Sequence, residues 1–225
     1  MASAAGNTQV FALPGALRRP AVFAMLFAGL LFAVLAVHYR GDDEPGRLDL
    51  RAEHIVDAFP STTDPVLRGV VRLGDPLPVV VLAAALAVVA VLLGRRRLAL
   101  LAIVGPGLTG VATTLVKPAV GRVLKGDFAY PSGHAGAATA LGIVAALLLI
   151  SVVPMRRLWQ LVVVGVGTLA TGGLMSLGLT LRDWHYPTDT VGGYCLAIVI
   201  VLGLALLLDR FADRSVDPRV GVRHE

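Results

Sequence analysis

A single cysteine, Cys195, stands in 225 residues. No disulfide can form within such a chain, and no metal site built on paired cysteines is possible. Charge is scarce as well. Asp, Glu, Lys and Arg make up 16% of the residues, where a soluble domain carries about a quarter. The pI near 10.0 comes mostly from arginines at the ends of apolar runs, so it reads as membrane topology rather than nucleic-acid binding. The polar clusters between the runs hold no carboxylate-rich or Cys/His ligand set, so neither a metal nor another cofactor is expected.

What is abundant is apolar sequence. Hydrophobic residues reach 56%, and they lie in blocks of seventeen or more rather than in a 3.6-residue pattern. Blocks of that length read as membrane spans. They run from about Ala21 to Val37, Leu77 to Leu93, Leu98 to Val116, Ala135 to Val153, Leu158 to Leu179 and Thr190 to Leu208. Gly105-Pro106-Gly107 inside the third predicts a kink. Arg18-Arg19, Arg95 to Arg97, Arg156-Arg157 and the tail arginines Arg210, Arg214 and Arg219 then fall on one face. The positive-inside rule makes that face cytoplasmic. The expected fold is all-α: an integral membrane six-helix bundle with both termini cytoplasmic. It comprises a segment 1–19, a membrane domain 20–210 and a tail 211–225. Gly172-Gly173 and Gly192-Gly193 are expected to let helices approach closely.

Residues 38–75 form the longest polar segment and would lie outside. Leu48, Ala52, Ile55 and Phe59 recur at helical spacing, giving an amphipathic stripe. Asp64-Pro65 reads as an N-cap followed by proline at the first helical position, with Val66, Val70 and Leu73 continuing a stripe until Gly74-Asp75-Pro76 ends it. One or two short helices lying on the membrane surface are expected; a disordered loop is the alternative.

Two polar clusters interrupt the later apolar blocks, both on the outer face. The first runs from Lys117 to Gly133 and includes Arg122, Lys125 and Tyr130-Pro131-Ser132-Gly133-His134; the second is Arg182-Asp183-Trp184-His185-Tyr186-Pro187-Thr188-Asp189. Lys117, Arg122 and Arg182 can cradle a phosphate, arginine by paired hydrogen bonds and lysine as a point charge. Ser132 and the backbone N–H groups around Gly133, entering the next helix, add donors. One histidine can attack phosphorus and the other can protonate the leaving oxygen. Asp189, four residues after His185, can hold the imidazole in the required tautomer. Simpler readings exist for several of these residues: Lys125 as a solvated rim charge, Arg182 as an interfacial anchor, Trp184 and Tyr186 as aromatic-belt residues, and Cys195 as a small buried hydrophobe.

The chain resembles the type 2 phosphatidic acid phosphatase (PAP2) family of membrane phosphatases over about residues 20–210. That family carries Lys-x6-Arg-Pro, then Pro-Ser-Gly-His, then Ser-Arg-x5-His-x3-Asp. The second motif is complete here as Pro131 to His134, and the third keeps its His-x3-Asp half as His185 and Asp189. The resemblance implies His185 as nucleophile, Asp189 as its orienting partner and His134 as general acid. It also implies Lys117 and Ser132 as phosphate ligands. Two arginines of the family pattern are displaced. Counting from Lys117 the first falls at Leu124, and counting back from His185 the Ser-Arg pair falls at Gly178-Leu179. Arg122 or Lys125, and Arg182 one helical turn further on, are the expected substitutes.

The expected function is hydrolysis of a lipid phosphate on the outer leaflet of the plasma membrane, through a phosphohistidine and without metal. A polyprenyl diphosphate carrier of cell-wall synthesis is the leading substrate. Phosphatidate, phosphatidylglycerol phosphate and phosphorylated polyprenyl sugars are its rivals. A non-hydrolytic lipid-phosphate binder or flippase is the alternative of another class. The partners implied are the lipid and the membrane, not nucleic acid.

Overall fold

The computed structural model describes residues 11–56 and 64–214. A 3-10 turn over Gly15–Leu17 leads into α1 (Arg18–His38), followed by α2 (Arg47–Val56), α3 (Asp64–Leu73), α4 (Pro76–Leu92), α5 (Arg96–Val120), α6 (Gly133–Val152), α7 (Arg157–Thr180) and α8 (Pro187–Arg214). Between α5 and α6 a two-stranded hairpin, β1 (Val123–Leu124) and β2 (Asp127–Phe128), pairs antiparallel. Lys125 and Gly126 both have positive φ, 53° and 92°, the geometry of the tight turn that matches strand twist.

Among the described residues, five helices are long and apolar enough to cross a membrane: α1 with its leading turn, α5, α6, α7 and α8. The second block of the sequence reading corresponds to α4, whose 17 residues reach that length only when α3 is joined to it. The two helices meet at 69°, so a sixth span would be a bent one. A soluble protein turns its large apolar side chains inward. Here Phe23, Phe27, Leu30, Leu77, Leu92 and Leu115 are all more than three-fifths exposed, as a hydrocarbon surround requires.

α6 is the centre of the bundle, packed by α4, α5, α7 and α8. Its interior is small: Ala135, Ala140 and Leu147 are fully buried, and a methyl on Gly136 would come within 2.9 Å of Thr109 Cγ2. At the start of the helix the approach of α8 is closer still, because a methyl on Gly193 would overlap the Ser132 carbonyl. Of the other glycines singled out from the sequence, Gly172 and Gly192 meet Tyr194 and Tyr130 closely, while Gly173 has open space beside it. α5 runs unbroken through Gly105-Pro106-Gly107 and through Pro118, so Lys117 sits on its last turn rather than in a loop.

Two short helices form in the 38–75 segment, as the stripes imply, although Phe59 lies outside the described residues. They do not simply lie on a membrane surface. α3 packs on α7, with Leu67 and Val71 buried against Gly178. α2 packs against α7 and α8. The physical reason is polar as well as apolar: Asp49 of α2 is fully buried, where only paired charge is tolerated.

Candidate active site

Asp49 finds its pair in Arg122. The guanidinium is wholly buried, donating from one nitrogen to Asp49 Oδ2 at 2.6 Å and from the other to Asp189 Oδ1 and Thr188 Oγ1, both at 2.7 Å. Tyr39 and Tyr186 cover its two faces, their ring centroids 4.0 and 4.2 Å away, which stabilises a desolvated cation. Asp49 Oδ1 accepts from the Thr188 N–H and hydroxyl at 2.9 and 2.7 Å, and the Gly46 N–H reaches Oδ2 at 3.0 Å. Burial pushes the Tyr39 and Tyr186 phenols up, with the neighbouring carboxylates adding to it and Arg122 opposing. Both therefore stay neutral.

Arg122, expected as a phosphate ligand, is placed inside this cluster. Its two terminal nitrogens are taken up by Asp49, Asp189 and Thr188, its Nε is buried without a hydrogen-bond partner among the described residues, and Arg122 is not among the residues lining the polar cavity. The cluster corrects the belt reading of Tyr186, which is buried and donates to the Asp43 carbonyl at 3.0 Å.

Asp189 passes the order on. It is the third residue of α8, and its Oδ2 reaches back to the Tyr186 N–H at 3.1 Å. An acid at that position caps the free amide before the helix. The same oxygen lies 3.6 Å from His185 Nδ1, beyond hydrogen-bond reach. His185 Nδ1 is buried with no hydrogen-bond partner among the described residues, so a small rotation of the ring would close the pair. Ser132 caps α6, accepting from the Ala135 N–H at 3.4 Å, and its own N–H donates to the Asp189 carbonyl at 2.9 Å. The starts of α6 and α8 are thus tied together, and with them the two histidine segments. The Ser132 side chain is fully buried in that role and does not open on the cavity, contrary to its expected use as a phosphate ligand.

The cavity itself measures about 590 Å³ and is lined by Lys117, Lys125, Asp127, Trp184, His134 and His185, with Leu124 and Asp183 among the remaining walls. Lys117 arrives from the last turn of α5, Lys125 from the hairpin turn, His134 from the first turn of α6 and His185 from the connection between α7 and α8. Lys125 is exposed on the hairpin turn and also lines the cavity. Arg182 is not among the lining residues. α7 ends at Thr180, so residue 182, the expected substitute, lies in the turn after the helix and not one helical turn on from residue 179. Its guanidinium lies 5.1 Å from the Trp184 ring, and Trp184 faces the cavity in its place. Leu179, at the family's arginine position, is fully buried with Val71, Ala135 and Met175.

A second, apolar groove of about 630 Å³ lies between α4 and α5, with Val79, Val80, Ala83, Ile103 and Val111 along it. Gly133 and His134 close its end. His134 lines both spaces, so the apolar groove and the polar cavity meet at that imidazole.

Sequence reasoning missed Asp49, the hairpin and the aromatic enclosure of Arg122. The hairpin had a signal in Lys125-Gly126. Asp49 had none, since its partner lies 73 residues away.

The fold and the cavity define a multi-pass helical membrane protein in which two histidines and two lysines share one polar space. The family model of the PAP2 superfamily matches residues 19–212, and the chain belongs to that superfamily. Membership implies a phosphoric ester hydrolase acting on lipid phosphates. Comparison with curated proteins and with solved structures gave no match.

Proposed function

We propose that the protein removes phosphate from a lipid through a covalent phosphohistidine, without a metal ion, at the extracytoplasmic face of the plasma membrane. The observation that carries the reading is that His134 and His185 line one cavity with Lys117 and Lys125, while an apolar groove starts from His134. The lysines hold the phosphoryl oxygens as point charges. His185 attacks phosphorus through Nε2, with Asp189 behind Nδ1 to steady the imidazolium that forms. His134 protonates the leaving oxygen and then takes a proton from the water that hydrolyses the phosphohistidine. One groove suits one chain, which favours a polyprenyl diphosphate carrier over the two-chain phosphatidate or phosphatidylglycerol phosphate.

The test is phosphate release by the detergent-solubilised protein from a panel holding a polyprenyl diphosphate, a phosphorylated polyprenyl sugar, phosphatidate and phosphatidylglycerol phosphate. Turnover of the polyprenyl diphosphate that survives EDTA, with a ³²P-labelled enzyme trapped by acid quench and lost in His185→Ala, is the expected result. Reporters at Asp43 and Asp127 are expected to read as external, and those at Arg96 and Arg157 as cytoplasmic.

A second reading, a lipid-phosphate binder or flippase without hydrolysis, is favoured by one observation. The two family arginine positions hold Leu124 and Leu179, and no arginine is among the residues lining the cavity. Stoichiometric lipid binding with no phosphate release from any member of the panel would establish it instead.

A further inference from the structure

His134 is held by a carboxylate from an unexpected place. Asp75 Oδ1 lies 3.1 Å from His134 Nε2, and Asp75 sits at the break between α3 and α4, where the chain bends by 69°. It is the N-cap residue of α4, in the extended conformation that position requires (φ −63°, ψ 152°), yet its side chain makes no capping hydrogen bond. The sequence explains why. An N-cap carboxylate normally accepts from the second or third amide of the helix. Here Pro76 and Pro78 occupy the first and third positions, and proline has no N–H. With the third amide missing, only the Leu77 N–H is left to cap, and the carboxylate reaches across to α6 instead.

The neighbouring residue shapes the contact. A methyl on Gly74 would lie 2.8 Å from His134 Cδ2, so only glycine lets the bend close on the ring. The Cδ2–Nε2 edge of the imidazole is therefore turned to the bend, and Trp184 meets the ring edge-on with centroids 6.4 Å apart. The pair is not sealed: the His134 and Asp75 side chains are 26% and 48% exposed. The other charged or titratable groups on the cavity that His134 lines are Lys117 on α5, Lys125 and Asp127 on the hairpin, and Asp183 and His185 between α7 and α8.

We propose that Asp75 is the positioning residue for His134, as Asp189 is for His185. The proposal rests on the phosphatase reading above. Asp75 accepts the Nε2–H and keeps it there, which leaves Nδ1, on the opposite edge of the ring, to hand a proton to the leaving oxygen. The two histidines are thus used from opposite nitrogens, because Asp189 stands at Nδ1 of His185 and leaves its Nε2 to attack. As the His185–phosphorus bond forms and the phosphorus–oxygen bond to the lipid breaks, the electron pair leaves on that oxygen. The oxygen takes the Nδ1 proton of the His134 imidazolium, and the neutral ring that remains is the Nε2–H tautomer bound to Asp75. Hydrolysis returns the proton from water to Nδ1. In this way the bent segment ahead of α4 completes a site otherwise built from α5, the hairpin, α6 and the connection leading into α8.

The experiment exploits the leaving group. An alkoxide must be protonated as it departs, whereas 4-nitrophenolate leaves without help. Dodecyl phosphate and 4-nitrophenyl phosphate are therefore compared on the full-length protein in detergent, in the wild type, Asp75→Asn, Asp75→Glu and His134→Ala. Asp75→Asn is expected to lower kcat/KM for dodecyl phosphate by about tenfold to a hundredfold, up to the lower end of what general acid catalysis supplies, since the imidazole itself remains. Its kcat/KM for 4-nitrophenyl phosphate should change by less than about threefold, because kcat/KM stops at departure of the leaving group and proton donation contributes little there. His134→Ala should show the same selectivity more strongly, and Asp75→Glu should recover part of the loss. Asp75→Ser serves in place of Asp75→Asn should that variant fail to elute as a folded species. Equal losses on both substrates would mean a merely structural role and overturn the proposal, as would no loss on either. A wild-type protein inactive on both compounds and on the lipid panel would overturn the phosphatase reading and the proposal with it.

Discussion

The bundle carries a buried charge cluster at each end, and the two are built with opposite signs. At the end bearing the histidines a cation, Arg122, is enclosed by two carboxylates, a hydroxyl and two aromatic faces. At the other end a carboxylate, Asp209 of α8, is the enclosed group. It accepts from the Ala12 and Leu13 N–H groups at 2.7 and 3.0 Å and from Arg97 at 3.0 Å, with Arg18 at 3.9 Å. Each cluster fastens chain segments that are distant in sequence. The difference lies in what is fastened. The Arg122 cluster includes Asp189, and so reaches His185. None of the partners of Asp209 named here is among the residues lining the cavity. On the proposed function, buried charge at one end is coupled to the site and at the other is remote from it.

The sharpest way to break this comparison is Arg122→Met. It leaves Asp49 and Asp189 buried without their cation, and stranding a buried charge costs about 3–5 kcal/mol. Expected outcomes are a clear drop in the detergent melting temperature and loss of phosphate release, since Asp189 no longer has a fixed position behind His185. Arg122→Lys should rescue only part of either, because a single ammonium cannot bridge both carboxylates from between two rings. An Arg122→Met protein that melts and turns over like the wild type would remove the link between the cluster and the site.

Asp209→Ala is the matching cut at the other end. Its partners are two amides and two arginines, and Arg97 can still turn to solvent, so the expected loss is smaller, about 1–3 kcal/mol. Distant sites without shared partners act independently to within about twofold in an equilibrium or rate. The folded fraction should therefore keep kcat/KM within about twofold of the wild type. A large kinetic effect with little change in melting would show that the two ends communicate through α8.

The same contrast marks what could be read from the sequence. The helices that span were legible because each is a long apolar run, and α4 with its bend was legible as apolar but not as half of a broken span. Lys117, His134, His185 and Asp189 were legible because they fall at motif spacings around the ends of those runs. The Asp209 cluster was not, although Arg18 and Arg97 were visible as flanking charges, because its acceptor sits at the far end of α8. Arg122 was visible as a cation near the site and for that reason was read as a ligand. A sequence displays charge but not burial, and the two carboxylates that neutralise it come from helices 73 and 67 residues away. Asp75 was visible only as the end of a stripe. Its release from capping is written in the two prolines that follow it, but its target on α6 is not.

The smallest expected effect falls on another arginine at the end bearing the histidines. Arg182 lies beyond the last residue of α7, outside the set of residues lining the cavity, with its guanidinium 5.1 Å from the exposed Trp184 ring. Lysine in its place keeps the charge and loses the planar stacking. A cation over an aromatic ring at an exposed site is worth about 0.5–1 kcal/mol, so any resulting looseness of Trp184 at the cavity wall should lower kcat/KM by no more than about fivefold. Lys117→Gln, which removes a charge from the cavity itself, should cost far more under the same assay. If Arg182→Lys instead lost a hundredfold while Lys117→Gln lost little, the guanidinium would have to swing past Trp184 to meet the phosphoryl oxygens when substrate is bound. The charge that matters would then come from the connection between α7 and α8 rather than from the last turn of α5.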